Sequence, residues 1–484
     1  MANDFNHRIA ASLEDDLLRA TLTRSTGILR HNRQQAFADT TPFSRLQAEA
    51  QALRQAALSR LPDLLTQLDE EARALGVQVY WADDANAANR YVLALAEARR
   101  VRQVARSHAA IAEEIGLDAA LAAAGIAVVL SDIGDYIVRL SDDTSSHLVF
   151  PALHRRKEAV ASLFEDKLDV PQTLDIQALT GIARVKLRRP LLEAAMSISD
   201  VTLAVAETGT LVLSSDSGSS RLASSVAPIH VAIMGIEQVT ASLSDLGLLL
   251  PLYARSATGQ PLNSTITLLN GPAAADSTVD GPREVHLIIL DNGRSDLMRW
   301  GYGEALTCIR CGACQNSCPV YREIGGHAYS EQGSGPIGSV IVPLLPVAPV
   351  PTVRTRLART LRLPAAAATP ENFGPRPLAL SPPLRTTPFA DLPRASTLCG
   401  ACQQVCPVGI NIPRLLLRLR ADLTQAGRSG VGEQMARRTY RASMLDAGRY
   451  RQLRTWLRSA SVRGRRPQPA VQSFRERWQA RRGT

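Results

Sequence analysis

Several features are scarce in this 484-residue chain, and each absence removes a class of protein. No apolar run approaches the roughly 18 residues of a membrane-spanning helix, so no transmembrane segment is expected and any membrane contact would be peripheral. The N-terminus, Met1-Ala2-Asn3-Asp4-Phe5, has no basic stretch leading into an apolar one, which speaks against a secretory signal and for a cytoplasmic protein. No G-x-G-x-x-G run opens a βαβ unit, so a nicotinamide or flavin site of that kind is not expected. Cysteine is absent from the first 307 positions and then occurs seven times between Cys308 and Cys406. An odd number packed into two short runs of a long chain is not a disulfide framework but a ligand set in a reducing compartment.

Acidic residues are nearly missing from one end. Residues 437–484 hold 14 arginines against 2 acids, Asp446 and Glu476, which is +12; the whole chain carries +10, leaving −2 for the remainder. The basic character belongs to the tail. Nucleic-acid binding would be the obvious use of such a segment. The aromatics there are few (Tyr440, Tyr450, Trp456, Phe474 and Trp478) and no nucleic-acid module precedes them, so no nucleic-acid partner is expected.

What is present suggests four regions. Residues 1–75 read as helix, rich in Ala, Leu, Arg and Gln with apolar residues at helical spacing. Over 76–295 short apolar runs alternate with helical patterns. Strands are expected at Val77–Trp81, Val101–Ala105, Ile126–Leu130, Val201–Ala206, Leu211–Leu213, His230–Met234 and Val285–Leu290, a rhythm that implies an α/β domain with a mostly parallel sheet. Residues 296–425 contain both cysteine runs and read as a small α-helical, ferredoxin-like dicluster domain. Its Pro-rich connector, 341–393, holds 12 of the chain's 28 prolines. Residues 426–484 are the Arg-rich tail.

The first cysteine run, Cys308, Cys311, Cys314 and Cys318 followed by Pro319, has the C-x2-C-x2-C-x3-C-P spacing of bacterial ferredoxins. Three thiolates from one tight loop reach three irons of a cubane, and the fourth, at the start of a helix, ligates the other cluster. The second run, Cys399, Cys402 and Cys406 followed by Pro407, fits the same pattern with Ser396 at the first position. Cross-ligation then assigns Cys308, Cys311, Cys314 and Cys406 to cluster 1, and Cys318, Cys399 and Cys402 to cluster 2, with Ser396 as candidate fourth ligand. Both clusters are expected as 4Fe–4S, or the second as 3Fe–4S if no fourth ligand closes its corner. A zinc site would leave three of the seven cysteines unused.

The α/β region offers weaker candidates. Glu207, in Glu207-Thr208-Gly209-Thr210 after an apolar strand, is a polar or nucleophilic group at a strand end; a tight turn between two strands explains it better. Arg255, with Ser256 and Thr258, forms a Gly-containing polar loop suited to a carboxylate or phosphate; a structural loop explains it equally. His147, His154 and His230 are proton-carrier candidates, each isolated in the sequence, and His327 is a candidate for tuning a cluster through a hydrogen bond.

These segments together resemble the lactate utilization protein B family. The resemblance rests on Ala305 to Cys314, Gly335-Pro336-Ile337-Gly338, Leu398 to Cys402, and upstream on Ala206 to Thr210, Arg255 to Gln260, Asp280-Gly281-Pro282 and Asp291 to Arg294, and it runs from about residue 45 to the C-terminus. It implies a sugar-isomerase/CoA-transferase-like α/β domain, in which fold Glu207 would be the candidate nucleophile. It also implies an electron-carrying, non-catalytic component of a system oxidising L-lactate to pyruvate. The implied companions are a cysteine-rich protein and a second protein with the α/β domain. The alternative is that the α/β domain is itself a catalytic unit binding a small acid near Glu207 and Arg255, with the clusters as its internal electron acceptors.

Overall fold

The computed structural model describes residues 5–38, 42–274, 281–329, 333–346, 384 and 386–426, a helix over Val431–Met444 and a few residues as far as 455. Most of the Pro-rich connector (347–383) and most of the Arg-rich tail lie outside the described residues.

Four helices open the chain: α1 (Phe5–Glu14), α2 (Asp16–Ala36), α3 (Phe43–Ser59) and α4 (Leu61–Ala74). Asp15 caps α2 by accepting the Leu18 N–H, which satisfies one of the amides a helix start leaves open. In α4, Leu61, Leu64, Leu65, Leu68 and Ala72 form one buried stripe at helical spacing.

Strand and helix then alternate: β1 (Gln78–Ala82), α5 (Ala85–Ala98), β2 (Gln103–Arg106), α6 (Ala110–Glu114), α7 (Leu117–Ala123), β3 (Ala127–Leu130), α8 (Ile133–Leu140), α9 (Lys157–Leu168), α10 (Ile176–Leu192) and β4 (Met196–Asp200). The domain continues through β5 (Leu203–Val205), β6 (Thr210–Ser215), α11 (Ser219–Val226), β7 (Ile229–Gly235), β8 (Val239–Thr240), α12 (Leu246–Ala257), β9 (Thr265–Leu269) and β10 (Glu284–Leu290). Six strands form one parallel sheet in the order β1-β10-β7-β4-β2-β3. Its faces separate by strand alternation. Ile288 and Leu290 of β10 join Tyr80, Ile198 and Val231 against α5, while Val285, Leu287 and Ile289 join Val79, Trp81 and Met234 against α4.

The expected mostly parallel α/β fold is present, with two departures. The strands expected at Val201–Ala206 and Leu211–Leu213 do form, as β5 and β6, but outside the parallel sheet. They pair antiparallel in a second sheet, β8-β5-β6-β9, because the short Glu207–Gly209 turn cannot supply the long crossover that parallel pairing needs. In addition, β4, with no counterpart in the sequence reading, holds the middle of the parallel sheet. Its Ser197 and Ser199 interrupt the apolar run that marks a buried strand. Both serines meet His230 of β7, at 2.8 and 3.0 Å, so the polar positions are satisfied inside the sheet.

The cysteine-bearing segment follows β10: α13 (Arg294–Arg299), a 3₁₀ turn over Gly303–Thr307, α14 (Ala313–Ser317), α15 (Pro319–Ile324) and α16 (Gly335–Ile341). Beyond the connector come α17 (Ala401–Gln404) and α18 (Ile412–Gln425). Leu22 of α2 packs with Tyr321, Ile324 and Tyr329 in one apolar cluster, with Phe5 and Ile9 of α1 against it, so the first two helices are part of the cysteine domain's core. Met1–Asp422 forms one compact unit; Leu423–Thr484 is a second, containing α19 (Val431–Met444). Among the described residues no helix is long and apolar enough to cross a membrane.

Candidate iron–sulfur centre and the crevice beside it

The two cysteine runs fold as the same local device. In the first, Arg310 has φ +59° and Gly312 φ +73°; in the second, Leu398 has φ +57° and Gly400 φ +85°. Left-handed backbone at a non-glycine residue is uncommon, and its recurrence one residue before Cys311 and Cys399 marks equivalent turns. The Arg310 N–H donates to Cys308 Sγ at 3.3 Å, and the Leu398 N–H donates to Ser396 Oγ at 3.1 Å. Ser396 therefore stands where Cys308 stands. Each run closes on a cysteine that accepts a backbone amide: Cys318 from Tyr321 and Cys406 from Ile410, both at 3.4 Å. Cys318 is the N-cap of α15 and Pro319 its first residue, where a missing N–H costs nothing.

None of the seven cysteines is in a disulfide, and five are buried; Cys308 is half-buried and Cys399 exposed. Burial pushes the Cys402 thiol up to about 12 and the Cys406 thiol up to about 11. Neighbouring thiols add to this, in two sets. Cys311 is affected by Cys308 and Cys406, and Cys314 by Cys308, Cys311, Cys406 and also Cys402. Cys318 is affected by Cys399, and Cys402 by Cys318 and Cys399. A buried group of sulfurs that raise one another's proton affinity becomes anionic only around a cation, which is the chemistry of a thiolate-bound iron cluster. The donor set fits such clusters.

Three contacts tie this centre to the α/β domain. His147 lies under the first run: Nε2–H donates to Asn316 Oδ1 at 3.1 Å, and Nδ1 accepts the Val149 and Phe150 amides. Burial lowers it to about 3, so it is neutral. Arg54, 1 % exposed, donates to the carbonyls of Glu237, Val239, Leu306 and Thr307. A chain of ion pairs runs from Glu114 to Arg294 (2.8 Å), from Arg294 to Glu237 (2.8 Å) and from Glu237 to Arg310 (3.2 Å) beside Cys308.

The other residues singled out in the sequence are spread out. Glu207 is exposed and accepts the Leu243 N–H; a Cβ on Gly209 would lie 2.7 Å from the backbone of α4 at Glu71 and Ala72, so this turn is packed against a helix. Arg255 lies in the last turn of α12. His154 and His327 both contact Asp143, at 2.9 and 3.4 Å; His327 reaches the Thr144 carbonyl, not a sulfur. The reading by residue type missed His108, Asp200 and Arg310, which converge on one crevice. The available signal was position: Asp200 ends β4, and His108 and Arg310 lie two and three residues past the ends of β2 and the Gly303–Thr307 turn.

Comparison with known proteins agrees with this architecture. Residues 65–290 match the LUD domain, and residues 304–410 match the 4Fe-4S dicluster domain, so the C-terminal part is an iron–sulfur domain. Lactate utilization protein B of Bacillus subtilis (strain 168) is 32% identical over 458 residues, covering 94% of this chain and 88% of that one. The protein of the same name from Anoxybacillus flavithermus is 33% identical over 439 residues, 90% of this chain and 85% of its own. An uncharacterized electron transport protein of Escherichia coli (strain K12), YkgF, is 34% identical over 433 residues, 90% and 83%. The chain belongs to the lactate utilization protein B family.

Proposed function

We propose that this protein is the electron-transfer subunit of a multi-protein, cytoplasmic system that oxidises L-lactate to pyruvate. The names of its relatives point to lactate as the substrate and to an electron-transport role. The observation that supports the reading is that thiols of the two runs lie close enough to raise one another's proton affinity, Cys406 with Cys311 and Cys314, and Cys318 with Cys402. Cys308, Cys311, Cys314 and Cys406 would hold cluster 1, and Cys318, Cys399 and Cys402 cluster 2, with Ser396 at its fourth corner. Lactate oxidation releases two electrons and each cluster carries one. The chain's residues would hold the clusters: His147 and Arg54 pack beside the first cysteine run, Tyr321 packs against Cys318, and Cys399 is exposed. A cysteine-rich protein and a second LUD-type protein are the companions this reading requires.

The test is reconstitution. Protein prepared without oxygen should contain about seven to eight irons with matching sulfide, and should be reduced by lactate in the presence of its companions. Cys311→Ala should stop that reduction. Two zincs and no sulfide, or reduction at the parent rate in the variant, would overturn the proposal.

A further inference from the structure

In an open α/β sheet, ligands bind at the C-terminal ends of the strands where the order of connection reverses. Here the chain passes from β2 outward to β3, returns to β4, and then continues the other way through β7 and β10. The reversal lies between the adjacent strands β2 and β4. Past the end of β2 stands His108, and β4 ends on Asp200.

A cavity of about 90 Å³ opens at this point, lined by His108, Asp200, Ser220 and Tyr253 and by Cys308 and Arg310 of the cluster loop. One water needs roughly 10–15 Å³, so the space suits a molecule of about six non-hydrogen atoms. A larger cavity of about 490 Å³ also includes His108, Ser220 and Tyr253 in its walls, and offers a way in.

The polar groups are unevenly used. Asp200 Oδ2 accepts the Ile111 N–H at 2.7 Å, whereas the buried Oδ1 has no hydrogen-bond partner among the described residues. A buried carboxylate oxygen without a donor is costly. Burial pushes Asp200 up to about 6 against the charge of Arg310. Arg310 gives Nη2 to Glu237 at 3.2 Å. His108 is committed as a cation, with Nδ1 on Asp135 at 3.1 Å and Nε2 on the Leu148 carbonyl at 3.0 Å. It contributes charge, not a free donor. The Tyr253 hydroxyl has no hydrogen bond among the described residues.

We propose that this crevice binds a small 2-hydroxycarboxylate against the Cys308 corner of cluster 1, with Arg310 and Tyr253 on its carboxylate and Asp200 Oδ1 accepting its hydroxyl. A guanidinium suits a carboxylate, and the vacant Oδ1 suits the one additional donor such an acid has over a plain carboxylic acid. The inference deepens the electron-carrier reading by placing the acid on this chain; only its spectroscopic arm depends on the cluster.

The experiment uses the full chain with its clusters, prepared without oxygen. L-lactate and propionate, which lacks the hydroxyl, are titrated calorimetrically, and the reduced cluster is followed by electron paramagnetic resonance. L-lactate should bind saturably and more tightly than propionate, and should shift the signal of cluster 1. Asp200→Asn should weaken L-lactate about tenfold, the scale of one hydrogen bond to a charged group, and leave propionate unchanged. Arg310→Gln should weaken both acids; Tyr253→Phe, which removes only a hydroxyl, makes the same test if the Arg310 variant loses iron. Absence of saturable L-lactate binding by the iron-replete parent, equal binding of the two acids, or an Asp200→Asn variant that matches the parent would overturn the inference. Loss of the electron-carrier reading would appear separately, as missing iron and sulfide.

Discussion

Ser396 and Cys308 accept equivalent backbone amides from Leu398 and Arg310. The serine oxygen is the poorer ligand for iron, so the cluster-2 corner it faces should be labile. Ser396→Cys restores a thiolate without altering the turn. Mild oxidation should convert cluster 2 of the parent to a three-iron form, seen by electron paramagnetic resonance, while the variant retains the fourth iron. Identical spectra and iron counts would show that Ser396 is not at the cluster. The glycines after Cys311 and Cys399 make a second comparison. Both have positive φ, +73° and +85°, which for alanine costs on the order of 1–2 kcal/mol. Around Gly400 a Cβ meets nothing within 4 Å, but at Gly312 it would lie 2.7 Å from His147 Cε1. Gly400→Ala should keep its full iron and unfold at slightly lower temperature. Gly312→Ala should lose the irons of cluster 1. Equal iron in the two variants would remove the packing role assigned to His147.

At the scale of elements, the centre of the parallel sheet contains a histidine where an apolar residue is usual. His230 of β7 is fully buried between Ser197 and Ser199 of β4, and burial lowers it to about 3 from 6.5. The unfolded chain therefore binds one proton more between pH 6.5 and 3. Stability is complete above about pH 6.5 and falls as the pH drops through that window. By pH 5 this one group should remove about 2 kcal/mol. Denaturant unfolding at pH 7 and pH 5 should show the parent losing about that much more than His230→Gln. Parallel losses in the two proteins would mean His230 does not change protonation on unfolding.

For the whole molecule, the charge is segregated: +12 within residues 437–484 and −2 in the rest. On the proposed function electrons pass through a docked partner, and a basic segment can steer an acidic one, an effect that weakens as salt shortens the screening length to about 8–10 Å. Removing residues 437–484 should leave iron content unchanged, slow electron transfer with that partner, and flatten its dependence on salt. Substitution of Cys311 should do the reverse, sparing association while stopping transfer. A truncated protein with the parent's rate and salt dependence would reduce those arginines to a solvated surface.

The candidate cluster ligands stand out in the chain because the spacing within each run is local. Spacings of two and three residues decide which sulfurs one turn presents, and Ser396 was identifiable from its distance to Cys399. The apolar runs of β1, β7 and β10 were readable for a similar reason, since a strand buried on both faces is a near-continuous apolar run. Contacts between distant segments were not. Ser197 and Ser199 are acceptable in β4 only because β7 brings His230 between them, 33 and 31 residues away. His147 lies 169 residues from Asn316, and no spacing predicts that meeting. The crevice shows the difference most clearly. Glu207 and Arg255 stand out by residue type, yet they line neither crevice cavity. Asp200, His108 and Arg310 belong together because the order of strands places β2 beside β4 and the loop of Cys308 over their ends. That order follows from how both sheet faces are buried at once, a property of the assembled core and not of any one segment.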